Sequence, residues 1–210
     1  AILLVPIVAA HAVGRIAGAP RPLARLAAAL GLVPVGFLLG TPFALLAAAR
    51  FRDGFVAQLL AQSGPDWLGV DLGPGGWHHL RFTLWYGLGP PLLAAALVGA
   101  LLALRRAPRP AAVLLSFAGA YSLVLGRGPL VFARYMVPLV PLLCTAAAVA
   151  VVAAAARLPR ARLAAAFGLA ALLALPSLRE TIATDQVLAR RDSRVAAAEW
   201  LRSHVAPDAT

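Results

Sequence analysis

The sequence predicts an all-α membrane protein: a polytopic bundle of about six transmembrane helices in residues 1–178, with an outer loop at about 50–83, and the beginning of an extracytoplasmic soluble domain in 179–210. Three observations predict it. Of the 210 residues, 61% are hydrophobic, against about 45–50% in soluble domains. Only 13% are charged, about half of what a soluble surface carries, which is about 25%. Finally, apolar runs approaching the roughly 20 residues needed to cross a bilayer recur between short arginine clusters.

The first run, Ile2 to Val13, lacks the charged leader of a signal peptide and enters its apolar stretch without a methionine. It is expected to be the remainder of a span whose beginning lies before Ala1. The second, Leu23 to Ala49, holds Gly31, Pro34, Gly36, Gly40 and Pro42. Such residues bend or break a helix, and membranes tolerate them where neighbours satisfy the freed backbone groups. The remaining spans are Leu84 to Leu104, Ala111 to Leu125, Met136 to Ala156 and Leu163 to Leu178, the second and fourth of these being short. In the tail, Asp192 or Ser193 can cap a helix running through Glu199 and Trp200 to about His204. Val195, Ala198 and Leu201 share one of its faces, and Pro207-Asp208 ends it.

The charges between spans set an orientation. Segments 14–25, 105–110 and 157–162 hold nine arginines in 24 residues and no acid. Segments 50–86, 127–135 and 179–210 hold the other ten arginines in 78 residues, together with all eight acids. Cytoplasmic loops retain basic residues, so the first set is expected inside the cell membrane. Loops 50–86 and 127–135 and tail 179–210 are then extracytoplasmic. The net charge of +11 comes entirely from arginine, but the arginines are dispersed among apolar runs. That pattern excludes a nucleic-acid interface, which needs basic residues on one solvated face.

Several chemistries are excluded as well. Cys144 is the single cysteine, so there is no intrachain disulfide and no cysteine-based metal site. No GK[ST] phosphate loop, GxSxG, HExxH or CxxC occurs. No charge sits mid-span, as ion-coupled transporters and proton relays usually require. Neither a metal nor a cofactor is assigned.

Two stretches could carry chemistry. The outer loop holds Arg50, Arg52, Asp53, Asp66, Trp67, Asp71, Trp77, His78, His79 and Arg81. Carboxylates and imidazoles beside tryptophan faces suit sugar binding or acid–base work. They also suit an ordinary wet loop whose Trp77, Trp85 and Tyr86 anchor at the interface. Adjacent histidines fit no metal-ligand spacing, because sequence neighbours point apart. The second stretch is Arg134-Tyr135 at the outer, N-terminal end of the fifth span, with Pro138 in its first turn. A helix N-terminus with an arginine and a phenol could hold the phosphate of a lipid-linked substrate. The same pair also fits a snorkelling arginine next to an aromatic-belt tyrosine.

The run Arg134-Tyr135-Met136-Val137-Pro138-Leu139-Val140-Pro141 resembles the Arg-Tyr-x-x-Pro-x-x-Pro segment of bacterial GT-C-type membrane glycosyltransferases, the protein mannosyltransferase and aminoarabinose transferase relatives. Gly40-Thr41-Pro42-Phe43-Ala44-Leu45-Leu46 resembles the family's segment leading into an outer loop. Trp77-His78-His79-Leu80 through Gly87-Leu88-Gly89-Pro90-Pro91 resembles that loop's return, and Asp192-Ser193-Arg194 with Glu199-Trp200-Leu201 the start of its outer domain. Relatives often carry an acid after the Leu-Leu pair, where this chain has Ala47 to Ala49.

The resemblance implies transfer of a sugar from a polyprenyl-phosphate-linked donor to an acceptor outside the membrane. It places Arg134 and Tyr135 at the lipid phosphate and His78 and His79 along the donor site. The catalytic acid would lie before Ala1, so no catalytic residue is assigned within this fragment. The alternatives are a non-catalytic polytopic scaffold or lipid transporter, and a polysaccharide polymerase or ligase.

Overall fold

The computed structural model describes residues 2–63, 73–128 and 131–205. Asp66, Trp67, Asp71, Pro129, Leu130, Pro207 and Asp208 lie outside them. Among the described residues every regular element is helical. In chain order these are α1 (Leu4–Ile16), α2 (Pro22–Gly40), α3 (Phe43–Leu46), α4 (Ala48–Ser63), α5 (Gly75–His78), a π-helical turn (His79–Leu84), α6 (Trp85–Leu88), α7 (Pro90–Arg106) and α8 (Pro108–Arg127). A 3-10 helix (Ala133–Leu139) leads into α9 (Val140–Ala155), and a second (Pro159–Ala161) into α10 (Arg162–Leu188). Finally comes α11 (Ser193–His204).

Four helical runs are long and apolar enough to cross a membrane: Pro22–Gly40, Pro108–Arg127, Ala133–Ala155 and the run Pro159–His204 that contains α10. A fifth results if Gly75–Leu88 and Pro90–Arg106, bent by 107° at Gly89, count as one. The apolar helix Leu4–Ile16 is shorter, at 13 residues. Large apolar side chains face outward on many helices, with Leu39 79%, Leu163 74% and Phe167 74% exposed. Water would penalise each such side chain by about 1.5–3 kcal/mol relative to burial. This architecture is compatible with a multi-pass helical membrane protein.

The buried interior is small and built of small residues. The tightest pairing is α7 with α9, where Ala96 and Gly99 of α7 meet Ala147, Val151 and Ala155 of α9. A Cβ placed on Gly99 would overlap the backbone carbonyl of Ala146. In lipid, apolar side chains gain nothing by leaving their surroundings, so helices associate through close backbone approach over Gly and Ala. Around this pair, α8 packs on α7, α1 on α8, α2 on α1, and α10 on α9 and α6.

The structure differs from the sequence reading at four places. The second span ends at Gly40, with a break at Thr41-Pro42, whereas the helix runs unbroken through Pro34. The outer loop begins as the exposed helix α4. The third span does not run straight through Leu84–Leu104, because Gly89 adopts φ +82 and Pro90 and Pro91 start a new helix. Lastly, α10 continues past Leu178 to Leu188, through Pro176.

The tail helix α11 starts as its sequence suggests. Asp192 is the N-cap, its carboxylate accepting from the Arg194 N–H at 2.8 Å and pairing with the Arg194 guanidinium at 2.8 Å. Both of these Arg194 bonds, the side-chain one first, hold the Asp192 carboxyl below its usual pKa. A depressed folded-state pKa contributes stability above the unfolded value of 3.8 and loses it as pH falls through the folded value. The amide-exchange protection factors of residues 193–196 are therefore expected to fall on acidification below about pH 4, and Asp192→Ala should show the reduced protection already at neutral pH. Unchanged protection in the variant would count against the cap.

Candidate functional site

One end of the bundle gathers the sequence-predicted residues. Gly75–Leu88 lies across this end as a cap, its direction set by the 107° bend. At its N-terminus, Gly75 and Gly76 cross the end of α8 so closely that a Cβ on Gly75 would overlap the Gly128 carbonyl. At its C-terminus, Gly89 sits against Pro176, whose Cβ would be 2.9 Å from an added Cβ. There the Ser177 hydroxyl donates to the Leu88 carbonyl at 2.9 Å. Breaking a helix orphans its last carbonyls, and this bond satisfies one of them from a neighbouring helix. The π turn in the middle of the cap packs on the 3-10 helix Ala133–Leu139, which carries Arg134 and Tyr135.

The two histidines separate as adjacent residues on a helix must. His78 is half-buried on the outer face, its ring 4.9 Å from that of Phe82, which in turn stacks on Tyr86. Trp77, Trp85 and Tyr86 are exposed, as interfacial anchors would be. His79 turns inward and is only 2% exposed. Its Nδ1 lies 3.2 Å from the Thr83 hydroxyl, and its Nε2 has no hydrogen-bond partner among the described residues. An unsatisfied buried polar atom costs about 1–3 kcal/mol, and π turns concentrate at functional sites.

Arg134 and Tyr135 occupy a 3-10 helix, whereas the sequence places them at the start of an α-helix. The prolines explain the change: Pro138 and Pro141 have no N–H, so neither can close an α-helical bond back to Arg134 or Val137. Pro138 also cannot donate to the Tyr135 carbonyl, and the Tyr121 hydroxyl of α8 does so instead at 2.9 Å. This bond fixes the 3-10 helix against α8, with Met136 and Leu139 buried beneath it. The Arg134 guanidinium lies 4.3 Å from the Phe132 ring centroid and 5.7 Å from that of Tyr135. Among the described residues it pairs with no carboxylate.

The structure therefore brings the His79 turn, His78 and the Arg134–Tyr135 helix to one end. Sequence reasoning missed Tyr121 and Ser177, which position these elements. Each is a hydroxyl in an apolar run, a position where a polar group needs a partner. In the loop, Asp53 pairs with its neighbour Arg52 at 3.0 Å on exposed α4, away from the cap's packing contacts. Among the described residues no three His, Cys, Asp or Glu converge as a metal site would require. Compared with protein-family models, curated proteins and solved structures, the chain matches none of them.

Proposed function

We propose that this chain is part of a multi-pass cell-membrane glycosyltransferase that moves a sugar from a polyprenyl-phosphate-linked donor to an acceptor at the outer face. In this reading loops 50–86 and 127–135 and tail 179–210 face outward, and the cap lies at the outer surface. Arg134 carries the reading: an exposed guanidinium with no carboxylate partner among the described residues, held over two rings at this end of the bundle, is available to a lipid phosphate. Tyr135 stands beside it, and the cap with His78 and His79 borders the same place. A sugar hydroxyl or a water reaching His79 Nε2 would supply the hydrogen bond that it lacks.

A second reading, a scaffold or lipid transporter without chemistry, draws on the same stacking, since an arginine on aromatic rings is also an interfacial anchor. Transfer assays on membranes containing the protein separate the two. Arg134→Ala is expected to weaken the apparent donor affinity by about tenfold to a hundredfold, the worth of a hydrogen bond to a charged group. Equal affinity in wild type and variant would return Arg134 to anchoring. The absence of transfer with any polyprenyl-phosphate sugar would favour the scaffold.

A further inference from the structure

Helices α1 and α2 are joined by the short link 17–21. They enclose a groove of about 280 Å³. Its walls are one helical face from each side: Ile7, Ala10 and Gly14 of α1, and Leu26 and Ala29 of α2. These spacings of three and four residues keep the lining continuous along the groove. Arg25 of α2 and His11 of α1 also line the groove, so a fixed positive charge borders its apolar walls.

The electrostatics around this link have one sign. Arg15 precedes the link, Arg21 is its last residue, and no acid occurs before Asp53. Among the described residues Arg15, Arg21 and Arg25 form no ion pair. A neutral helix packed into the groove would meet Arg25 uncompensated, and a second copy would bring another arginine cluster against it. An amphiphile with an anionic head and an apolar tail complements both parts at once.

We propose that the α1–α2 groove binds an anionic phospholipid, its phosphate at Arg25 and one acyl chain along Ile7, Ala10, Leu26 and Ala29. Each arginine near an anionic headgroup contributes about fivefold in affinity. The proposal stands on the groove alone and is independent of sugar transfer, so Arg134→Ala leaves it untouched.

Native mass spectrometry of the full chain, released from detergent after titration with phosphatidylglycerol or phosphatidylcholine, tests it. The wild type is expected to retain one phosphatidylglycerol with about fivefold or greater preference over phosphatidylcholine. Arg25→Gln should lower the preference about fivefold and Arg25→Lys should keep it, which separates lost charge from a damaged fold. Ala10→Phe, which fills the groove, should release both lipids. The proposal is overturned if Arg25→Gln keeps the preference, if inorganic phosphate abolishes it in the wild type, or if the groove closes in a lipid-free dimer.

Discussion

Replacing Gly99 with leucine is expected to unfold the bundle at markedly lower temperature, with a loss on the order of 3 kcal/mol, at the upper end of the usual range for overpacking. The position leaves no alternative rotamer to exploit, because the obstruction is the Ala146 backbone of α9 rather than a flexible side chain. Even alanine must push α7 and α9 apart, and in lipid that separation forfeits the close packing that holds the pair. Gly119→Leu on α8 is the control, since nothing lies within 4 Å of its added Cβ. Circular dichroism melting in detergent reads the difference, and the labelling rate of exposed Cys144 on α9 gives a second probe. Equal melting of the Gly99 and Gly119 variants would show that the α7–α9 contact contributes little.

Gly89→Ala should loosen the cap. With φ +82 and ψ 148, Gly89 occupies a region open essentially to glycine alone, and another residue there costs about 1–3 kcal/mol. The new methyl also presses on Pro176. The corner is expected to open, drawing the Leu88 carbonyl from the Ser177 hydroxyl. Electron-spin distances between labels at Arg81→Cys and Leu123→Cys, in a Cys144→Ala background, should broaden in the variant. Ser177→Ala should give a smaller effect of about 1 kcal/mol and combine non-additively with Gly89→Ala, because both act on one corner. A distance distribution unchanged by Gly89→Ala would mean that other contacts set the bend.

These positions show what could be read from the chain in advance. Apolar runs between arginine clusters located α2, α8, α9 and α10, because lipid demands length and hydrophobicity that little else in the sequence mimics. The Asp192 cap was legible for the same reason that short polar side chains favour such sites. The bend at Gly89 was not, although Gly-Pro-Pro stands there, because hydropathy continues across it and only tertiary contacts with Pro176 and Ser177 fix the angle. Residues 48–60 carry Arg50, Arg52 and Asp53, which reads as a loop, yet local backbone bonding winds them into α4. At the candidate site, sequence singled out Arg134, Tyr135, His78 and His79 by chemistry. It could not tell that one imidazole faces outward and the other inward, since two neighbouring histidines are equivalent until a helix assigns their azimuths.

The π turn His79–Leu84 sets a second azimuth, that of the residues that follow it. Such a turn winds one extra residue into an otherwise α-helical path, so each residue after it is rotated by roughly 100° from where a regular helix would put it. The cap therefore behaves like a shaft with a phase step cut into it. Its leading half aims His79 at the bundle, and the step sets where Trp85, Tyr86 and buried Leu88 point without moving the histidine.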